Sequence, residues 1–498
     1  LRLCREALAH LPSHVYRPDY DVSRLQPGIV HLGCGSFHRA HQVTATQAAI
    51  NAMGEKGLRW GIATTAMRRP ELVRQLARQD NLFTLLTREP HDTTASVIGS
   101  ITDSLFAGDP EANLAGRIAD PRTRIVTLTV TASGYYLTAD NRLDPEADAI
   151  LADLRRLDED QPARTATGLL VQGLAQVRAG GGVPPVILCC DNVAHNGATL
   201  RRAVTDFAAL SGRDALADWI EATVQFPDTM VDRITPTTFA DDIADARRLL
   251  GGIEDAVPVP AEPWFEWIIG EFEGPRPDWE AHEGTQFVPD VAVFERAKLQ
   301  MLNGTHMILA YVGGLAGLTT IAEAAADPVL GPIAAHFMRN EQSAGVELPA
   351  PRLDRYTRNL MKRFRNPAIV HQVERIGRNG SAKMAARVIR PMRENLLAGR
   401  PVTGAVLLIA SWIRWFALHE QEALEISITD PRAKSLRLIC AEARDDHRAQ
   451  AEAFLAMEEV FGPPLPRYDH IVSEIAALLH RFDTQEIRQV LADLAADI

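Results

Sequence analysis

Residues 29 to 33, IVHLG, form a short run rich in apolar residues that ends in Gly33-Cys34-Gly35 and leads directly into residues able to open a helix near Ser36. A strand, a tight glycine turn and a helix in that order make a βα unit of a parallel sheet, which must be covered by helices on both faces. The same unit suits a dinucleotide. Glycines let the backbone approach a pyrophosphate, and free N–H groups at the start of a helix meet its charge. The motif alone does not separate a cofactor loop from an ordinary turn, because the third glycine of G-x-G-x-x-G is replaced by His38.

The pattern continues in the same style. A second strand is predicted over Leu58 to Thr65, LRWGIATT. Its end is where an acid commonly holds the adenosine ribose. Thr64 and Thr65 stand there instead, with Arg68 and Arg69 behind them, an arrangement compatible with a 2′-phosphate, so NADP stays open beside NAD. RIVTLTVTASGYY, 124 to 136, begins as a buried strand and breaks at Gly134, and VPPVILCC, 183 to 190, delivers Asp191 and Asn192 at its C-terminal end. By residue type alone, Asn192 suits an Asx turn before a helix as well as it suits a ligand site. Helical patterns over 145 to 156 and 163 to 179 lie between these strands. GEFEGPRPDWEAHEG, 270 to 284, reads as a long loop, and from about residue 292 the pattern is almost wholly helical. The expected architecture is therefore α/β: a Rossmann-type parallel-sheet domain over 1–288, then a mostly α-helical domain over 289–498.

Charge and composition narrow the partners. A net charge of −12 with pI about 5.7 disfavours nucleic acid and anionic membrane and favours a small-molecule ligand. Five cysteines without a C-x2-C pair suggest neither a disulfide framework nor a structural zinc site, and a reducing cytoplasm is expected. The opening LRLCREALAHLPSH is broken by Arg, Glu and His, unlike a signal peptide. GAVLLIASWIRWFAL, 404 to 418, is too short for a span of ~20 residues and contains Arg414, so a buried core helix is predicted.

Within the helical half, FERAKLQMLNGTHMILAYVGGLAG, 294 to 317, carries chemistry on one face. At ~100° per residue, setting Lys298 to zero puts Glu295 at ~60°, His306 at ~80° and Asn303 at ~140°. Leu299 and Leu302 share the arc, which suits the wall of a cleft better than a solvated surface, although amphipathic helices also collect such residues by chance. Lysine occurs at only five positions, 56, 298, 362, 383 and 434, among 52 cationic residues. Where only positive charge is needed this chain uses arginine, so a retained lysine suggests proton transfer, which arginine cannot perform.

The run Lys298 to His306, KLQMLNGTH, resembles the K-x4-N-x2-H signature of the polyol-specific long-chain dehydrogenases, the mannitol dehydrogenase family. IVHLGCGSFHRAHQ at 29 to 42, CCDNVAHNG at 189 to 197 and FPDTMVDRITP at 226 to 236 resemble that family's other blocks in its order. The resemblance implies an NAD(P)-dependent secondary-alcohol dehydrogenase acting without a metal. In it Gly33, Gly35, Ser36, Phe37 and Thr64 contact the cofactor, and a cleft lies between the domains. Lys298 is then the general base, Asn192 and Asn303 form the oxyanion hole, and Glu295 relays protons between Lys298 and solvent. His306 and Asp232 bind substrate hydroxyls, and Arg233 either joins them or only braces its loop. Ala132 replaces the glutamate of the family's T-x-T-E-x-G-Y block, so no relay role is expected there.

ERIGRNGSAK, 374 to 383, resembles the polyol enzymes' R-I-x-x-D-G-S-x-K and puts Arg375 and Lys383 against the substrate, with Asn379 in place of Asp. PDWEAHEGTQFVPDV, 277 to 291, and KLQMLNGTH are closer to the fructuronate reductases, and two cations suit a carboxylate. Glu266, where both groups commonly have Gln, would repel one. The expectation is oxidation of mannitol or a similar polyol to the 2-ketose, with mannonate/fructuronate second. A Tyr-x3-Lys pair is absent, and HRAH, 38 to 41, is the only hint of a zinc site. A non-catalytic dinucleotide sensor would show a damaged Lys-Asn-His face, and this face is intact. Many family members are monomers, and a monomer is expected.

Overall fold

The computed structural model describes residues 1–138, 140–420, 428–444 and 446–496. It divides into two compact units, 1–292 and 293–498, a boundary four residues beyond the one expected. In the first unit, β1 (Pro27–Leu32), β2 (Gly61–Ala66), β3 (Ile101–Phe106), β4 (Ile125–Leu128) and β5 (Val186–Cys189) form one sheet in the order β3-β2-β1-β4-β5. Every neighbouring pair is parallel. This is the doubly wound order, with its switch point between β1 and β4.

Both faces of this sheet are buried, which is why its strands read as apolar runs rather than as alternating ones. Val30, Leu32, Val126 and Leu128 pack with Leu169, Leu170 and Leu200, from helices Ala166–Ala179 and Asn196–Leu210. Ile29, Ile62, Ile125 and Leu188 pack on the opposite side with Val43 and Ile50 of helix Gln42–Met53. Each such aliphatic side chain contributes about 1.5–3 kcal/mol by leaving water.

Several local expectations shift. Residues 54 to 60 are a 3-10 segment rather than the start of the second strand, which runs from 61 to 66. Gly57 lies so close to residue 50 that a Cβ would sit 2.7 Å from the Ile50 carbonyl oxygen, and this packing holds the chain off the sheet. The helix after Gly35 is broken at His41 into Ser36–Ala40 and Gln42–Met53. The long loop of 270 to 284 is pinned by Trp279, which is fully buried and donates through Nε1 to Thr46 Oγ1 at 3.0 Å. Two smaller three-stranded sheets, one of Phe83–Arg88, Thr93–Ile98 and Val259–Ala261, the other of Thr229–Asp232, Glu266–Gly270 and Thr285–Val288, complete the unit.

The second unit is helical. Helix Thr403–Glu420 contains the long apolar run, and Leu408, Ile409, Trp412 and Ile413 on it are buried, as predicted. Its Arg414 is paired with Asp483 at 2.6 Å. Trp415 Nε1 donates to the Tyr311 carbonyl at 2.8 Å, tying this helix to helix Asn303–Leu315 at the centre of the core. No helix of the described residues is long and apolar enough to cross a membrane.

Candidate active site

In the first unit the carboxyl ends of β1, β4 and β5 carry the candidate cofactor residues. Gly33 has φ of 111°, and a Cβ there would lie 2.1 Å from the Thr129 carbonyl oxygen, so this glycine is required by the chain's own packing. Gly35 differs. Its backbone is extended, and a Cβ would meet nothing closer than the Gly33 oxygen at 3.9 Å. Open space beside a glycine that the fold does not need suits a ligand pressed against the backbone.

Beneath the turn, His31 and His38 stack with ring centroids 3.2 Å apart. His31 Nε2 lies 3.2 Å from the Gly33 carbonyl oxygen and its Nδ1 lies 2.7 Å from Thr127 Oγ1. Burial lowers the His31 pKa to about 3 and that of His38 well below the usual range, so both rings are neutral. A ring-on-ring contact therefore joins helix and strand where the third glycine would otherwise allow close approach. His41 is also taken up in packing: its Nε2 lies 3.0 Å from the Glu266 carbonyl oxygen, and its ring stacks on Phe265 and Phe37. Phe37 thus braces His41, while Ser36 opens the short helix and is partly exposed.

Thr64, expected beside the ribose, is fully buried inside β2 and paired in register with His31, two residues before the strand ends at Ala66. The exposed strand end is Met67-Arg68, and these two line a cavity of about 300 Å³ together with Val130, Gly134 and Tyr136.

Asn192 lies in the turn after β5 and is exposed. Two residues without an assigned role in the sequence reading hold that turn. The Asp191 carboxylate accepts from the Val130 and Thr131 amides at 2.8 and 2.9 Å and from the Tyr135 hydroxyl at 2.6 Å. Asn196 Nδ2 donates to the carbonyls of Asp191 and Thr229 at 3.1 and 2.9 Å. Ala132 sits exposed in the 3-10 turn that Asp191 anchors.

Asp232 ends strand Thr229–Asp232, is buried, accepts from Trp264 Nε1 at 3.1 Å, and stands opposite Glu266 in the antiparallel register. Arg233 donates to the carbonyls of Glu262 and Ala40 at 3.1 and 2.5 Å, and burial lowers its pKa to about 10. These bonds tie Arg233 to the backbone on both sides of the strand end.

In the second unit, the helix that carries Lys298 is not regular. An α segment, Ala292–Ala297, passes through a π turn, Lys298–Leu302, into Asn303–Leu315. The Asn303 amide bonds to the Lys298 carbonyl, five residues back. Treated as one residue inserted into the α wheel, the turn rotates everything beyond it by about 100°, moving Asn303 to about 40° and His306 to about −20°. The arc holding Glu295, Lys298, Asn303 and His306 narrows from ~140° to ~80°. His306 is buried, with its ring 4.4 Å from Phe364 and 5.7 Å from His371. Burial, then the charges of Arg375 and Arg363, lower the His371 pKa to about 4. Arg375 is therefore close to the His306 end of the face. Lys383, expected against the substrate, donates through Nζ to the carbonyls of Ile376 and Arg378, at 3.2 and 2.5 Å, and closes the turn around Asn379, which adopts φ of 57°.

The family model described as the mannitol dehydrogenase Rossmann domain matches residues 27–281, and that of the mannitol dehydrogenase C-terminal domain matches 290–483. The chain belongs to the mannitol dehydrogenase family. It is an oxidoreductase of that family, similar to the mannitol 2-dehydrogenase of Cereibacter sphaeroides, at 35% identity over 93% of this chain and 95% of the relative. It is also similar to the D-mannonate oxidoreductase of Escherichia coli, at 33% identity over 96% of this chain and 98% of the relative. The solved ternary complex of Pseudomonas fluorescens mannitol 2-dehydrogenase with NAD and D-mannitol matches over 100% of both chains, with TM-score 0.82 and 34% identity. Within the mannitol dehydrogenase family, the departures at Ala132 and Asn379 fall on one exposed turn and one tight turn. Asn is among the few non-glycine residues that visit the left-handed region routinely, so Asn379 retains its backbone role.

Proposed function

We propose that this chain is an NAD-dependent secondary-alcohol dehydrogenase that oxidises mannitol or a similar polyol at C2 to the ketose. The observation that carries the reading is the intact Lys298, Asn303 and His306 face, drawn onto one narrow arc by the π turn. Lys298, a side chain that can exist neutral, accepts the hydroxyl proton during oxidation and returns it during reduction. The amides of Asn303 and Asn192 stabilise the alkoxide that develops as the proton leaves, a preorganised electrostatic contribution. Glu295, one turn before Lys298, passes the proton onward, and His306 and Asp232 hold more distant hydroxyls. Bound NAD accepts the hydride. The extended backbone at Gly35 and the cavity bordered by Arg68 and Tyr136 suit its pyrophosphate and adenosine.

A second reading is a sugar acid of the mannonate/fructuronate type. It is favoured by the two guanidinium groups, Arg375 and Arg363, that act on His371 beside His306. The deciding experiment is a substrate panel of mannitol, arabinitol, sorbitol, mannonate and altronate, each with NAD and NADP. The highest kcat/KM is expected with a neutral polyol. Mannonate exceeding every polyol by more than about tenfold, with that advantage lost in Arg375→Ala, would reverse the order and make Arg375 a carboxylate clamp.

A further inference from the structure

The second unit contains π turns at Lys298–Leu302, Phe337–Glu341 and Ala385–Ile389, and the first packs against both others. π turns are rare and are found most often where a helix must carry function. Here two buried glutamines, each 1% exposed, tie the three together. Gln300 rises from the middle of the first turn. In the amide orientation that pairs every atom, it donates to the carbonyls of Gln342 and Ala344 at 3.0 and 3.1 Å and accepts from Arg296 Nε at 3.2 Å. Gln342 closes the second turn, its amide bonding to the Phe337 carbonyl at 3.0 Å, and its Nε2 donates to the Arg387 carbonyl in the third at 2.9 Å.

Gly304 makes this arrangement possible. A Cβ on it would fall 1.9 Å from Gln342 Nε2 and 2.9 Å from the Arg387 carbonyl oxygen. Its glycine is thus required by the passage of the Gln342 amide across the helix, one residue beyond Asn303.

We propose that Gln300 and Gln342 are positioning residues for the reaction: through the junction of three π turns they fix the register that keeps Lys298, Asn303 and His306 on one face. The inference rests on the reading of Lys298 as the base. A helix relaxed to regular α geometry would return Asn303 to the far edge of a ~140° arc. The base and the amide that must act on one hydroxyl would then diverge. Neither glutamine touches substrate in this account, and their effect passes through the backbone.

The test compares Gln342→Leu, Gln342→Glu and the double variant Gly304→Ala/Gln342→Ala with wild type and Lys298→Ala. The carboxylate introduced by Gln342→Glu would set an acceptor against the Arg387 carbonyl. The double variant removes the tie and refills part of the space of the lost amide, its added Cβ 2.9 Å from the Arg387 carbonyl oxygen. It decides the matter if the single variants accumulate little folded protein. NADH titration counts folded sites, so loss of protein cannot imitate loss of turnover. The expected result is kcat lowered at least tenfold in all three, with NADH affinity within twofold of wild type and polyol KM within threefold. Lys298→Ala should be nearly inert. With Lys298→Ala inert, a kcat per NADH site within twofold of wild type in the glutamine variants would overturn this inference and leave the base reading standing. An active Lys298→Ala would overturn both.

Discussion

Lys298 and the two asparagines carry opposite demands, and their substitutions should separate accordingly. Lys298→Ala is expected to lose nearly all turnover while dinucleotide binding, which rests on residues of the first unit, stays within about twofold by NADH titration. Lys298→Arg should do no better, since a permanently protonated side chain cannot accept a proton. More than a few per cent of wild-type activity in that variant would remove the base assignment. Asn192→Ala and Asn303→Ala should each lower kcat by ~10² to 10³, the usual loss for one oxyanion donor. Asn303→Asp should be worse, because it adds repulsion where negative charge develops. An elevated KM with unchanged kcat in both alanine variants would assign them to ground-state binding instead. At this scale, chemistry alone singled out only Lys298, a lysine kept in an arginine-rich chain, and the asparagines were named through the family resemblance. The turn that Lys383 closes was not legible, because nothing in the sequence around it shows the carbonyls of Ile376 and Arg378 that its Nζ meets.

Helix Thr403–Glu420 begins against a buried carboxylate. Glu341, at the end of the second π turn, accepts from the Gly404 and Ala405 amides at 2.7 and 2.9 Å, supplying the partners a helix start needs. Burial nevertheless raises its pKa to about 7, the two backbone bonds opposing only in part. A carboxyl group whose pKa is higher folded than unfolded takes up a proton on folding. Its contribution to stability is therefore fully present below the ordinary value of 4.5 and is lost as pH rises through about 7. Glu341→Gln removes the titration and, because an amide nitrogen cannot accept, one of the two bonds to the helix start, so its deficit against wild type near pH 5 should shrink as pH rises to 8. That narrowing should amount to several degrees in Tm, at about 2–4 °C per kcal/mol for a unit of this size. Thermal melts of both proteins across this range check it, and parallel profiles would acquit Glu341. The π turns themselves were outside reach of the wheel drawn from sequence, since 3.6-residue periodicity assumes the regularity that packing with Gln300 and Gln342 removes.

Across the molecule, cofactor choice is expected to be set at the end of β2 rather than in its interior. Thr64→Asp would bury a carboxylate in the sheet and should cost stability without altering selectivity. Arg68→Asp, at the exposed strand end beside the cavity of Met67, Val130 and Tyr136, should raise the NAD over NADP preference by removing a cation and repelling a 2′-phosphate. Wild type is expected to favour NAD. NADPH bound at least tenfold more tightly than NADH would overturn that expectation, and unchanged selectivity in Arg68→Asp would place the adenosine elsewhere.

The sequence by itself determined the class of fold and the chemical repertoire. Apolar strands ending in glycine or Asp-Asn, helices between them, and a later half written at helical period admit little else, because these patterns follow from local backbone geometry and from burial on one or both faces. Only the tertiary structure decided which of two glycines the fold requires and which leaves room for a ligand. It also buried Thr64 inside β2 and set Met67 and Arg68 beyond the strand end beside a cavity, turned Lys383 toward backbone carbonyls, and drew Asn303 and His306 toward Lys298 through a π turn. Each of these depends on which distant carbonyl or side chain occupies the neighbouring space, and such contacts between residues far apart in the chain leave no period in the sequence to read.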